Sequence, residues 1–154
     1  MKTKGILLVI LSVTILSCGT SKSINEDELV RTVNDYTVKV DGNKSLKQTA
    51  SDGVLTDLQG AEDIGTYKFY TDFDAETKDL VHVRNVEKTG NTRDENYYFK
   101  DNKLVAVTVK SSVAKEKRIY LHKGKIISSS NIDSKEEDLL LTKAIRFQNE
   151  YKSE

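Results

Sequence analysis

The run Tyr98-Phe99-Lys100-Asp101-Asn102-Lys103-Leu104-Val105 is matched 22 residues later by Tyr120-Leu121-His122-Lys123-Gly124-Lys125-Ile126-Ile127. Each copy is an apolar strand end, a polar pair and an apolar return. Asp101-Asn102 and Lys123-Gly124 are the residue types that suit two-residue primed turns, which join antiparallel strands. A looser copy, Tyr70 to Val81, has an expanded turn over Asp74-Ala75-Glu76-Thr77-Lys78. Consecutive hairpins predict an antiparallel meander.

Outward from these hairpins the apolar period is two, predicting strands over 66–73, 79–86, 96–100, 103–110, 118–122 and 125–130. Upstream, Ser23-Ile24-Asn25-Glu26 has capping-box spacing, and Leu29, Val33, Tyr36 and Val40 fall on one helical face. A helix over about 24–39 follows, although the β-branched alternation Tyr36-Thr37-Val38-Lys39-Val40 argues for a frayed or strand-like end. Residues 41–65 have few apolar anchors and read as a long loop with at most one short strand. Downstream, Ser134-Lys135-Glu136-Glu137 opens a final helix whose stripe is Leu140, Ala144, Phe147 and Tyr151, flanked by Leu141 and Ile145. The predicted class is α+β: an N-terminal helix, a roughly six-stranded antiparallel β-meander, and a C-terminal helix packed on the sheet.

Uninterrupted pairing from Lys100 with Lys103 would put Tyr97 and Phe99 on one face with Leu104 and Ala106. Tyr98, Val105, Val107 and Val109 would lie on the other. Both faces are then apolar, so the sheet is expected either to curl around a helix or to leave an aromatic face for a partner.

The chain of 154 residues carries 24 basic and 24 acidic side chains, with 37% hydrophobic and 31% charged residues and neither proline nor tryptophan. That length suits one domain, and the balanced charge argues against a nucleic-acid partner. Lys2 and Lys4 precede an apolar run from Gly5 to Leu16, a charged start and short apolar stretch of secretory-signal type. It is shorter than the roughly 20 apolar residues a spanning helix needs. The exit, Ile15-Leu16-Ser17-Cys18-Gly19, resembles the lipobox of bacterial lipoproteins. That resemblance implies cleavage between Ser17 and Cys18 and lipidation, palmitate included, of Cys18, the only cysteine. Leu16 departs from the small or β-branched residue usual at its place. The organisation implied is a signal peptide (1–17), a lipidated Cys and polar tether (18–23) and one α+β domain (24–154). Gly19, in place of the Asp linked to inner-membrane retention, favours the outer membrane. The hairpin Tyr97-Tyr98-Phe99-Lys100-Asp101-Asn102-Lys103-Leu104-Val105 is also similar to those of small Bacteroidetes lipoproteins. That similarity bears on architecture and location and carries no catalytic residue.

Little chemistry is legible. His82 and His122 are isolated on strands, without metal-ligand spacing. Asp72-Phe73-Asp74-Ala75-Glu76-Thr77-Lys78-Asp79 alternates carboxylates, but Thr77 and Val83 stand where a calcium loop needs Gly and Glu. No catalytic residue, metal ligand or cofactor motif can be named. Residues 24–81 hold 13 acidic and 6 basic side chains, while 100–125 hold 8 basic and 2 acidic. Lys110, Lys115, Lys117, Arg118, Lys123 and Lys125 could form a basic rim toward an envelope protein or anionic polymer, or could simply guard strand edges. The favoured function is a lipid-anchored, non-catalytic binding module of the cell envelope. An envelope hydrolase using carboxylates near Asp72–Asp79, or a purely structural envelope lipoprotein, is the alternative.

Overall fold

The computed structural model describes residues 25–153. In it α1 (Glu26–Asp41) precedes seven strands and α2 (Ser134–Ser153) closes the chain. The strands are β1 (Lys47–Thr56), β2 (Asp63–Phe73), β3 (Leu80–Thr89), β4 (Asn91–Lys100), β5 (Lys103–Ser111), β6 (Lys117–His122) and β7 (Lys125–Ser130). They pair antiparallel in chain order as one sheet. The α+β meander anticipated from the hairpins is present, with seven strands where about six were expected. The leader, Ser17, Cys18 and the whole tether lie outside the described residues.

The tight turns form as their residues require. Asp101 and Asn102 have φ of 51° and 55°, Lys123 and Gly124 of 51° and 77°. Both central residues are thus left-handed, the signature of the type I′ turn that matches strand twist. The repeat also encodes a bulge. Phe73 pairs with Leu80 but Asp72 with His82; Phe99 pairs with Leu104 but Tyr98 with Ala106; Leu121 pairs with Ile126 but Tyr120 with Ser128. The extra residues, Val81, Val105 and Ile127, all pack against the apolar cluster beneath α1. An added residue shifts every later side chain to the opposite face. The uninterrupted β4–β5 register is therefore corrected: Tyr97 pairs with Val107, and Tyr98 with Ala106.

Two helices, not one, pack on the sheet. Its two apolar faces are covered from opposite sides. Val33 and Val40 of α1 pack with Tyr98, Ala106 and Tyr120. Leu140, Ala144 and Phe147 of α2 pack with Leu80, Val83, Tyr97, Phe99, Val107, Val109, Ile119 and Leu121. Burying a Leu or Phe side chain contributes about 1.5–3 kcal/mol, so α2 is chiefly held by its predicted stripe. Ile145, expected to flank that stripe, is 60% exposed.

Three local expectations change. First, α1 stays helical to Asp41, because Thr37 and Val40 are buried on the sheet and the Tyr36 hydroxyl donates to the Phe99 carbonyl. Tertiary packing here outweighs β-branched propensity. Second, the helix caps are one or two residues from the serines proposed. Asn25 Oδ1 accepts from the Asp27 amide (3.1 Å), and Asp133 Oδ1 from the Glu136 amide (3.0 Å). A carboxylate or amide oxygen serves as well as a hydroxyl there. Third, much of the segment taken as a loop is β1, an edge strand, and 87–95 continues β3 and β4 around Gly90.

Candidate functional site

α1 crosses β5, β6 and β7, and its end reaches Tyr98 of β4. On the same face, among the described residues, no helix lies over β1 and β2, and β3 meets the cluster beneath α1 at Val81. The open surface and the end of α1 enclose a cleft of about 640 Å³. Its floor is a continuous polar ladder across four strands. Gln48 Nε2 of β1 donates to Asp72 Oδ1 of β2 (2.7 Å), and Asp72 Oδ2 accepts from His82 Nδ1 of β3 (2.8 Å). His82 Nε2 meets Asn96 Oδ1 of β4 (3.1 Å), and Asn96 Nδ2 donates to Asp94 Oδ1 (3.1 Å). Arg84 closes the ladder on Asp94 with Nε at 3.0 Å and Nη2 at 2.6 Å, the two-pronged geometry of a strong guanidinium–carboxylate pair.

The bulge at Val81 makes this possible, since it sets Asp72 opposite His82. The imidazole is 7% exposed and stacks on Tyr98, with centroids 4.8 Å apart and rings inclined by 25°. Tyr98 in turn donates to Asp41 Oδ1 at 3.0 Å. Asp94 can only accept, so it turns the Asn96 amide to present its oxygen to His82. Both ring nitrogens are thus engaged by side-chain oxygens. Burial would push the Asp72 carboxyl up, but the hydrogen bonds from His82 and Gln48 outweigh it and hold it below the usual carboxylate range. Burial, aided by the Asp41 charge, pushes the Tyr98 hydroxyl well above the usual phenol range.

A carboxylate–imidazole pair is also the core of acid–base triads. Here the outer nitrogen, where a nucleophile would sit, is held by Asn96. The ladder shapes and stiffens a surface instead of activating a group. His82→Phe, which keeps the stack on Tyr98, should lose about 1–3 kcal/mol in chemical denaturation, because it strands Asp72 and Asn96. Asp72 is held below its ordinary value of 3.8 in the fold, so its stabilisation is present above that pH and fades as pH falls further. The gap between variant and wild type should therefore narrow on acidification below about pH 4. An equal gap at pH 3 and pH 7 would remove this role from Asp72.

The six basic residues do not come together. Lys110 lines the cleft and sits opposite Asp94 in the β4–β5 register. Lys117 pairs with Glu136 (2.5 Å) and Arg118 with Glu116 (3.1 Å), so their charges are spent within the fold. Lys115 lies in the exposed β5–β6 connection, and Lys123 and Lys125 in the β6–β7 turn at the other end of β6. The carboxylates of 72–79 also diverge. Asp72 joins the ladder, Asp74 accepts from the Glu76 and Thr77 amides (2.9 Å each), and Asp79 accepts from Asn102. The convergence that a hydrolase built on this segment would need is missing. His122 stands apart from the ladder, its Nε2 buried without a hydrogen-bond partner. Among the described residues no cluster of three or more His, Cys, Asp or Glu is arranged to hold a metal ion.

The opposite face holds a second cavity of about 640 Å³, between β1–β3 and α2, walled by Tyr67, Phe69 and Phe147 and rimmed by Arg146 and Glu150. Beside it Glu95 is fully buried. It accepts from Arg93 Nε (2.7 Å), Tyr97 Oη (2.8 Å), Lys143 Nζ (3.0 Å) and Asn85 Nδ2 (3.3 Å). The cluster joins β3 and β4 to Lys143 of α2 through bonds within the protein, which marks it as structural. The cleft on the α1 side differs because its ordered polar groups border an uncovered surface. Compared with known protein families, curated proteins and solved structures, the chain matches none.

Proposed function

We propose that the protein is a lipid-anchored component of the cell envelope, held at the outer membrane through Cys18, whose role is non-catalytic binding of an envelope polymer or protein. The polar cleft beside α1 is its binding face. One observation carries this reading: a ladder of planar hydrogen-bonding groups, already paired and stiffened, lies beneath a surface that neither helix covers. Preorganised groups lose little freedom when a ligand arrives, so a modest cleft can hold a partner. The occupied outer nitrogen of His82 and the divergence of Asp74 and Asp79 favour binding over hydrolysis.

Retention of labelled envelope polymer and solubilised envelope protein by the full-length protein tests the reading. Tyr70→Ala with Arg84→Ala, both on the open face, should weaken retention about tenfold, equivalent to about 1.4 kcal/mol. Replacing Lys115, Lys123 and Lys125 by Gln should leave it unchanged. Equal retention by the cleft variant, or loss only in the lysine variant, would move the binding face away from the cleft.

A further inference from the structure

We infer that the occupant of this cleft is a neutral, hydroxyl-rich chain, an uncharged oligosaccharide segment, and the inference rests on the cleft being the binding face. Charge is the first argument. The lining carries Asp41, Asp72 and Asp94 against Lys44, Arg84 and Lys110, three of each sign. The carboxylates are engaged: Asp41 by Tyr98, Asp72 by His82 and Gln48, and Asp94 by Arg84 and Asn96. A polyanion would gain from the cations but meet three carboxylates at the same surface, and a polycation would meet the reverse. A charged ligand would also give up hydration without a surplus of opposite charge to replace it.

Hydroxyl groups have different needs. Each is one donor and two acceptors, and is best met by neighbouring groups of both kinds. The ladder supplies the Gln48 amide, the Asp72 and Asp94 carboxylates and the Arg84 guanidinium across four strands. Carboxylate oxygens accept more than one hydrogen bond, so Asp72 and Asp94 keep acceptor capacity after their internal bonds are made. Tyr70 supplies a flat surface for the C–H face of a sugar ring, with the Arg84 guanidinium 5.9 Å from its centroid. The volume falls within the range of sites that enclose a small ligand, while the lining is more polar than the usual apolar pocket.

Calorimetric titration of the full-length protein in neutral detergent micelles decides the matter, using cello-, malto-, manno- and chito-hexaose as neutral probes and oligogalacturonate as the anionic one. At least one neutral hexasaccharide should bind with Kd of about 1 mM or tighter. Raising salt to several times physiological strength should change that Kd less than about twofold, because no ligand charge is screened. Tyr70→Ala and Gln48→Ala should each weaken it about tenfold while the protein stays folded at the assay temperature, whereas Lys123→Gln should not weaken it. Failure of every neutral probe at about 10 mM, or salt-sensitive binding of oligogalacturonate alone, overturns the inference. In that event, loss of envelope-polymer or envelope-protein retention in the Tyr70→Ala, Arg84→Ala variant would still uphold the cleft as the binding face. Unaltered retention would remove both.

Discussion

Glu95→Ala should cost about 3–5 kcal/mol of stability, the range typical when one member of a buried ion-pair network is removed. Glu95 has no exposed side-chain surface and takes four donors from β3, β4 and α2. Its loss leaves the Tyr97 hydroxyl without its acceptor and removes one acid from Arg93 and Lys143. Those cations keep Glu136 (3.0 Å) and Glu87 (3.5 Å), so the low end of the range is expected. For a domain of this size that is a fall in Tm on the order of 10 °C. Burial would raise the Glu95 carboxyl, but Lys143, Arg93 and Tyr97 outweigh it and hold it below its ordinary value of 4.5. Its contribution is thus complete above that pH and is lost as pH falls through the lower folded value. Glu136, lowered by Lys117 and Arg93 against its own burial, acts in the same direction. Wild type should weaken steeply below about pH 4, and Glu95→Ala less so. Loss of under about 1 kcal/mol, or an unchanged acid profile, would mean that the Glu95 network does not hold α2.

The networks around Glu95 and His82 therefore have different consequences. Glu95 lies beneath α2, and its partners come from the sheet and the helix that covers it. His82 lies on the opposite face, beside the end of α1, and its partners come from the two neighbouring strands β2 and β4. The first arrangement fastens a layer. The second finishes a surface that water or a ligand can approach. Substitutions at Glu95 should act on folding alone. Those at Tyr70 or Gln48 should act chiefly on binding, with a small loss of stability at Gln48 from its bond to Asp72.

How much of this was legible in the sequence follows from local pattern. The hairpins, their primed turns and the stripe of α2 depend on near neighbours, and the residues show them. β1 was not legible because a strand exposed along most of its length needs no apolar alternation. Residues 87–95 read as polar connection because their charges, Arg93 and Glu95 above all, are satisfied by partners on α2 rather than by water. The bulge hid in the doublets Leu80-Val81 and Leu104-Val105, whose two residues pack on opposite faces, and in Ile126-Ile127, where Ile127 packs under α1 and Ile126 stays exposed. The ladder went unseen for the same reason. Aligning the hairpin across Asp74–Lys78 with one residue skipped at Val81 brings Asp72 opposite His82, and would have turned an isolated histidine into a member of a network. The basic rim was a feature of linear order; the meander sends Lys115 and Lys123 to opposite ends of β6.

Cys18→Ala should abolish incorporation of labelled fatty acid and move the mature domain from the detergent phase to the aqueous phase in detergent partitioning. Each buried methylene contributes about 0.8 kcal/mol of membrane affinity, and one acyl chain gives only reversible association, so two or more are needed for a lasting hold. Cleavage at Ser17–Cys18 would remove Lys2 and Lys4 with the leader, leaving 22 basic against 24 acidic residues and a net charge of −2. Such a chain gains little attraction to anionic lipid from its overall charge. Among the described residues no helix is long and apolar enough to cross a membrane, so α1 and α2 offer no substitute anchor of that kind. The fold should not register the change. α1 is capped by Asn25 and begins at Glu26, and its packing starts at Val30 and Val33. Cys18→Ala should then keep the wild-type circular dichroism spectrum and thermal midpoint while losing membrane attachment by orders of magnitude. Persistence of the fatty-acid label would show that Cys18 is not the modified residue. Loss of the label together with loss of the fold would show that the tether is part of the domain.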